Sequence, residues 1–289
     1  MISIFAKPAF LNVNPHSPFE YRGEKPKRGY LMRVSSMIRG DQIADAIGAR
    51  LNPESGYEND ICVYVKPHVR KGQDFVFEGR KAYLDIVDGH NLGELARKHP
   101  EVTVIVCSQA DMEIMSGAIP NKVIFVPQHH CNFERLTRTR KEITRVGVIG
   151  TRDAFPMLPK ELKAELAKGG MELVEFSSFF TRQDVIDFYM GIDVQIVWRP
   201  YKKLLSNPLK IVNAASFGIP TIALDELAFK KELEGHYIPV TNLGGLLNML
   251  VKLKGLPDMY MFYSEKCIHI AEKRYHIDKV AKMYKELDK

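Results

Sequence analysis

Four basic residues, Arg199, Lys202, Lys203 and Lys210, fall within twelve positions of the segment RPYKKLLSNPLKIVNAASFGIPTIAL. A helix starting near Pro208 would offer free N–H groups and the positive end of its dipole to an anion. Proline is well tolerated in a first helical turn, and Ser206 or Asn207 just before it suits an N-cap. Cations beside such a helix start fit a diphosphate, held by charge-assisted hydrogen bonds. The same residues also describe a capped helix with an exposed basic face.

Other groups sit where strands should end. In AYLDIVDGHN, an apolar run closes on Asp85, Asp88 and His90. Asp88 is the first candidate general base or charge partner and His90 the second; a strand-terminal Asp making turn hydrogen bonds is the structural alternative. RVGVIGTRDAF reads as a strand ending in Gly150, where a missing side chain lets a ligand approach the backbone, with Thr151 at the strand's carboxyl end. In SSMIRGDQIADAIGARL, Asp41 reads as a cap or first-turn acid, and Arg39 as a residue reaching toward a ligand. His16 lies in a long loop rich in Pro, Gly, Asn and charge, over 10–28, and is an outside candidate for catalysis or acceptor contact. His129 and His130 are adjacent, point apart on an extended chain, and read as structural.

The elements that must position these groups alternate between apolar strands and helical patterns, the mark of parallel α/β architecture. In the first half, strands are expected over 2–5, 61–65, 82–87, 102–107 and 122–126, and helices over 40–51, 92–98 and 110–116. A polar segment over 133–144 reads as a linker, after which the pattern restarts. The tail places Ile277, Val280, Ala281 and Tyr284 at helical spacing. The expected division is 1–140, 141–265 and a terminal helix over 266–289.

Composition bounds the class. The 289 residues are 45% hydrophobic and 26% charged, which suits globular domains. There is no run long and apolar enough to span a membrane, and no signal peptide is expected. Cys62, Cys107, Cys131 and Cys267 are widely spaced, so they read as reduced thiols of a cytoplasmic protein and not as a zinc site. The net charge of +6 suits a phosphate-rich partner, whether nucleotide-sugar, anionic surface or nucleic acid. Absence of GxGxxG, P-loop, HExxH and GxSxG patterns argues against a typical dehydrogenase, ATPase, zinc protease or serine hydrolase.

PLKIVNAASFGIPTIA resembles the nucleotide-sugar signature of GT-B glycosyltransferases, with Lys210 at its basic position and Gly218 and Pro220 at its helix-end turn. RVGVIG resembles the first strand of that family's donor domain. The resemblance implies two Rossmann-like doubly wound domains facing a cleft. It implies transfer of a sugar from a nucleotide-sugar such as a UDP-sugar to an acceptor hydroxyl, with no metal and no cofactor. Gly150, Thr151, Arg199, Lys203, Ser206, Asn207, Lys210 and Asn213 would bind the donor, Asp88 and His90 would serve catalysis, and His16 and Arg39 would face the acceptor. The acceptor would be a glycan, a lipid-linked sugar or a modified base in DNA. One departure stands out: the family usually has Glu, which commonly holds the donor ribose, where this chain has Asn213. That departure also allows a non-catalytic nucleotide- or glycan-binding module.

Overall fold

The computed structural model describes residues 1–6, 34–67, 69, 75–89, 91–138, 142–179, 181–200 and 205–288. Contacts gather in two units. One holds Met1–His129, Leu204–Asn207 and Ile277–Lys289; the other holds His130–Lys203 and Pro208–His276.

The first unit is built on β1 (Ile2–Ala6), β2 (Arg50–Leu51), β3 (Ile61–Val65), β4 (Lys81–Val87), β5 (Thr103–Val106) and β6 (Val123–Phe125). They pair in parallel in the order β2-β1-β3-β4-β5-β6. All five residues of β3 are buried, as a continuous apolar run requires when both faces of a parallel sheet are covered. A π-helical stretch, Ser36–Gln42, runs into α1 (Ile43–Ile47). The helix expected over 40–51 therefore starts earlier and stops earlier. It stops at Gly48, left-handed at φ 69°, because Arg50 and Leu51 pair with Ser3 and Ile4 of β1. Asp41 lies near the end of the π-helical stretch and is not its cap. Helices α2 (Leu92–Lys98) and α3 (Gln109–Ala118) pack Leu92, Leu95, Ala96 and Met115 onto Leu84, Ile86, Val104 and Val106. Ser108 caps α3 by accepting from the Asp111 N–H.

The second unit repeats the plan with β7 (Arg145–Ile149), α4 (Leu162–Lys168), β8 (Glu172–Phe176), α5 (Arg182–Met190), β9 (Val194–Val197), α6 (Leu209–Ser216), β10 (Thr221–Leu224), α7 (Leu227–Leu233) and β11 (Ile238–Val240). The parallel order is β11-β10-β9-β7-β8. Helices α8 (Leu243–Gly255) and α9 (Pro257–Ile270) follow. Then α10 (Ile277–Lys285) returns to the first unit, with Ile277, Val280, Ala281 and Tyr284 buried.

Counted from the start of each unit, both sheets run 2-1-3-4-5, with a sixth strand in the first. Connections leave the first strand in both directions, so right-handed crossovers put helices on both faces. Each unit is thus a doubly wound, Rossmann-like α/β sheet, and each has a switch point between its first and third strands, where such sheets bind ligands beyond their carboxyl ends.

Candidate functional site

In the second unit the switch point lies between β7 and β9. Gly150 follows β7 and donates its N–H to the Phe176 carbonyl at 3.0 Å. A Cβ placed on Gly150 would lie 3.2 Å from the Lys210 Nζ, so the lysine amine rests against bare backbone at the strand end. Lys210 sits in the first turn of α6. Its carbonyl accepts from the Tyr189 hydroxyl at 3.2 Å and from Gln195 Nε2 at 3.1 Å, which ties the helix start to α5 and β9. Thr151 is exposed and precedes a 3₁₀ turn, Arg152–Met157. Strand end, ammonium and helix start form a place for an anion.

The start of α6 differs from expectation. Its N-cap is Pro208, with no side-chain cap. Ser206 and Asn207 belong to the first unit instead. The Ser206 N–H donates to Asp111 Oδ1 at 3.1 Å and the Asn207 amide donates to Gln128. The Ser206 N–H and the Asn207 amide thus go to partners far away in sequence, which a local capping pattern cannot reveal.

Two further donor-site expectations change. Arg199, two residues past β9, forms a bidentate pair with Glu226, both bonds at 2.6 Å, and its guanidinium lies 5.3 Å from the Phe229 ring centre. Its charge is already matched by a carboxylate that sequence reasoning missed; the acids ending TIALDE were the available signal. Asn213 is buried, and its Oδ1 accepts from the Cys131 N–H at 2.9 Å. Its side chain holds the segment after His130 onto α6 and does not face a ligand. Asn132 completes that seam by donating to the Ser216 carbonyl at 2.8 Å.

In the first unit, Asp88 stands just past β4 and pairs with Lys66 just past β3, Oδ1 to Nζ 2.6 Å, each about one third exposed. The backbone there is strained. Val87 has φ 54° and Lys66 φ 44°, left-handed values that cost about 1–2 kcal/mol without glycine and that a β-branched residue rarely adopts. The pairing of β4 with β5 shifts register between Asp85 and Val87, and the Lys66 N–H donates to the Asp85 carbonyl at 2.8 Å. Lys66 is a second residue the sequence did not single out, because its pairing depends on β3 and β4 being neighbours.

Arg39 is corrected too. It is only 1% exposed. Its Nε donates to Asp85 Oδ2 at 2.5 Å and its Nη1 to the Val126 and Pro127 carbonyls at 3.0 Å. Burial opposes its charge, but Asp85, with Cys107 and Tyr284, outweighs that and holds the guanidinium protonated. Tyr284 of α10 donates to the same Asp85 Oδ2 at 3.0 Å. Arg39 therefore braces the core and does not face an acceptor. His129 and His130 are buried, His129 against the Ile38 carbonyl and His130 Nδ1 accepting from the Asn132 N–H. His16, His90 and Lys203 lie outside the described residues. Among the described residues, no three His, Cys, Asp or Glu side chains gather to hold a metal ion, and no helix is long and apolar enough to cross a membrane.

No protein-family model and no curated protein sequence matches the chain. Solved structures do. A glycosyltransferase from Rickettsia africae ESF-5 superposes with a TM-score of 0.60 at 9% identity, over 99% of this chain and 97% of that one. Anabaena Alr3699/HepE in complex with UDP gives 0.58 at 13% identity, over 85% and 81%. The same protein with UDP-glucose gives 0.52 at 14% identity, over 72% and 72%. At these identities the likeness is one of fold. The chain has the fold of glycosyltransferases of the GT-B type, with two Rossmann-like parallel α/β units.

Proposed function

We propose that this protein is a glycosyltransferase that moves a sugar from a nucleotide-sugar to an acceptor hydroxyl. The carrying observation is the Lys210 ammonium against the bare backbone of Gly150, at the switch point where such sheets bind ligands. In this reading Lys210 and the start of α6 neutralise the diphosphate as it leaves, the charge that most needs stabilising. Thr151 adds a hydroxyl donor, and Arg199 a second cation shared with Glu226. The acceptor oxygen attacks the anomeric carbon, the bond from that carbon to the phosphate oxygen breaks, and the acceptor proton passes to Asp88. Lys66 pairs with that carboxylate and holds it in place.

UDP-sugars are the first donors to try, since the Anabaena protein is described in complex with UDP and with UDP-glucose. The acceptor is proposed to be a glycan, a lipid-linked sugar or a modified base in DNA; the net charge of +6 suits an anionic one. The fixed cations would make a metal unnecessary, so transfer should persist in EDTA. The four free thiols fit a reducing cytoplasm.

Calorimetry with nucleoside diphosphates and nucleotide-sugars tests the reading. Lys210→Ala should weaken binding by about 1–3 kcal/mol, the value of a lost charge-assisted bond. If no nucleotide binds the wild-type protein, the reading falls. A second reading, a non-catalytic nucleotide- or glycan-binding module, is favoured by Asn213, a neutral side chain used in packing where the resemblance implies a carboxylate. Slow hydrolysis of a bound nucleotide-sugar would exclude it.

A further inference from the structure

The first sheet carries another polar constellation, toward the end opposite Asp88. Tyr83 of β4 pairs with Thr103 of β5, and the pairing of Val104 with Val123 puts Lys122 opposite Thr103. One row across three parallel strands therefore reads Tyr83, Thr103, Lys122, with neighbours about 4.8 Å apart. Asp88 lies five residues past Tyr83, roughly 16 Å along the strand. Between this row and the end of α10 is a cleft of about 250 Å³. Met283, Glu286 and Leu287 line it from the helix side, and Ile124 and Phe125 add apolar wall. All of these residues belong to the first unit.

The polar groups of the cleft divide into those already used and those still open. The Leu287 carbonyl accepts from the Tyr83 hydroxyl at 2.8 Å and from the Lys81 Nζ at 3.2 Å. The carboxyl end of a helix repels anions; here two donors cover this carbonyl. Thr103 is 8% exposed, and its hydroxyl has no hydrogen-bond partner among the described residues. A buried hydroxyl left unpaired is costly, and a ligand oxygen that accepts from it removes that cost. Lys122, exposed beside it, has no ion pair among the described residues. Lys81 and Lys122 face one carboxylate, Glu286, so positive charge is in excess. A cation would meet two ammonium groups, and an inorganic anion would leave the apolar wall unused. Met283 is unbranched and adapts to the shape of whatever packs on it. The chemistry that matches is an acid group on a flat apolar body.

We propose that this cleft is a second ligand site, for a small aromatic carboxylate. Its acid group accepts from the Thr103 hydroxyl and lies beside the Lys122 ammonium, and its ring packs on Ile124, Phe125 and Met283. The site stands apart from the donor-site reading and does not depend on it. The test is calorimetry of the full chain with 2-naphthoate and its neutral isostere 2-naphthamide, with each variant checked for folding by thermal unfolding. The wild-type protein should bind 2-naphthoate with a Kd of about 1 mM or tighter, the level ordinary ligand efficiency gives for a molecule of this size. It should bind 2-naphthamide about fivefold more weakly. Thr103→Val keeps the shape and removes the hydroxyl, and should weaken 2-naphthoate about tenfold, the effect of losing a hydrogen bond to a charged group. Lys122→Met should weaken it severalfold, as for a solvent-screened charge. Glu286→Gln removes the opposing carboxylate and should tighten it about twofold. If Thr103→Val does not fold, the two exposed positions decide the matter. Saturating UDP should not displace 2-naphthoate. Absence of saturable 2-naphthoate binding overturns the proposal, as do equal affinities for acid and amide, unchanged binding by the Lys122 and Glu286 variants, or displacement by UDP.

Discussion

Gly150 and Lys210 are sixty residues apart, yet one methyl group would fill the space between them. A Cβ at position 150 would meet the Lys210 Nζ and the Ala154 Cβ, each at 3.2 Å. The ammonium is the end of a flexible chain and can move, but the Ala154 Cβ is fixed to the backbone and must shift slightly, so Gly150→Ala should lower the melting temperature a little. It should weaken nucleotide binding severalfold, because Lys210 loses its place; calorimetry beside thermal unfolding separates the two effects. Asp88 and Lys66 allow a second test. Lys66→Met removes the cation paired with Asp88 and should slow transfer. If Asp88 is the base, Asp88→Asn should abolish transfer while UDP still binds, whereas full transfer by that variant would make the pair merely structural. These residues differ in how readable they were. The positions of Gly150 and Asp88 at strand ends, and of Lys210 in a first helical turn, were legible because such places have local signatures. The partners of Arg199 and Asn213 were not legible, because Glu226 and the Cys131 N–H lie 27 and 82 residues away. A sequence window shows a side chain's chemistry but not which distant group claims it.

Elements were easier to read than partners, since periodicity belongs to each segment. β3 was expected over 61–65 and is found there, and α2 likewise over 92–98. The first helix was misplaced because its end is set by β2 pairing with β1, a tertiary event. Packing between elements is tight where glycine permits it. A Cβ on Gly147 of β7 would lie 2.5 Å from Ile192 Cδ1 and 2.9 Å from the Phe188 ring. Gly147→Ala should therefore destabilise the second unit by about 1–3 kcal/mol, the usual cost of overpacking. In the first unit, Arg39 and Asp85 tie the π-helical stretch to β4. Asp85→Asn leaves Arg39 buried without its counter-charge and should cost about 3–5 kcal/mol in chemical denaturation. Asp60, before β3, is one source of acid sensitivity. Burial alone would raise its pKa, but hydrogen bonds from Ser3 and Arg50 and the Arg50 charge outweigh that and hold it below 3.8. A carboxylate with a lowered folded pKa stabilises the protein above its unfolded pKa, and that stability is lost as pH falls through the folded value. Asp60→Asn should thus flatten the loss of stability below about pH 4.

At the scale of the whole molecule, the chain does not finish one unit before starting the other. It leaves the first unit after His129, revisits it at Ser206 and Asn207, and returns with Ile277. The last return carries structural weight. Ile277, Val280, Ala281, Tyr284 and Leu287 are buried, the Tyr284 hydroxyl reaches Asp85, and the Tyr83 hydroxyl donates to the Leu287 carbonyl at 2.8 Å. Burying a Val, Leu or Ile side chain contributes about 1.5–3 kcal/mol, so Ile277, Val280 and Leu287 together supply roughly 5–9 kcal/mol. That is comparable with the entire 5–15 kcal/mol stability of an ordinary domain. Deleting residues 277–289 should therefore unfold the first unit at ambient temperature. The second unit has a core of its own, from Val146 and Val194 on the sheet to Leu246 and Leu250 of α8, and should keep its melting transition. Scanning calorimetry of the full chain and the deletion variant checks this. The full chain should unfold with contributions from both units, and the variant should lose only that of the first. Survival of both would mean that α10 is packed on the first unit without being needed for it. If the second unit alone holds the diphosphate, through Gly150 and Lys210, the deletion variant should also still bind UDP, and calorimetric titration then reads the donor site free of the other unit.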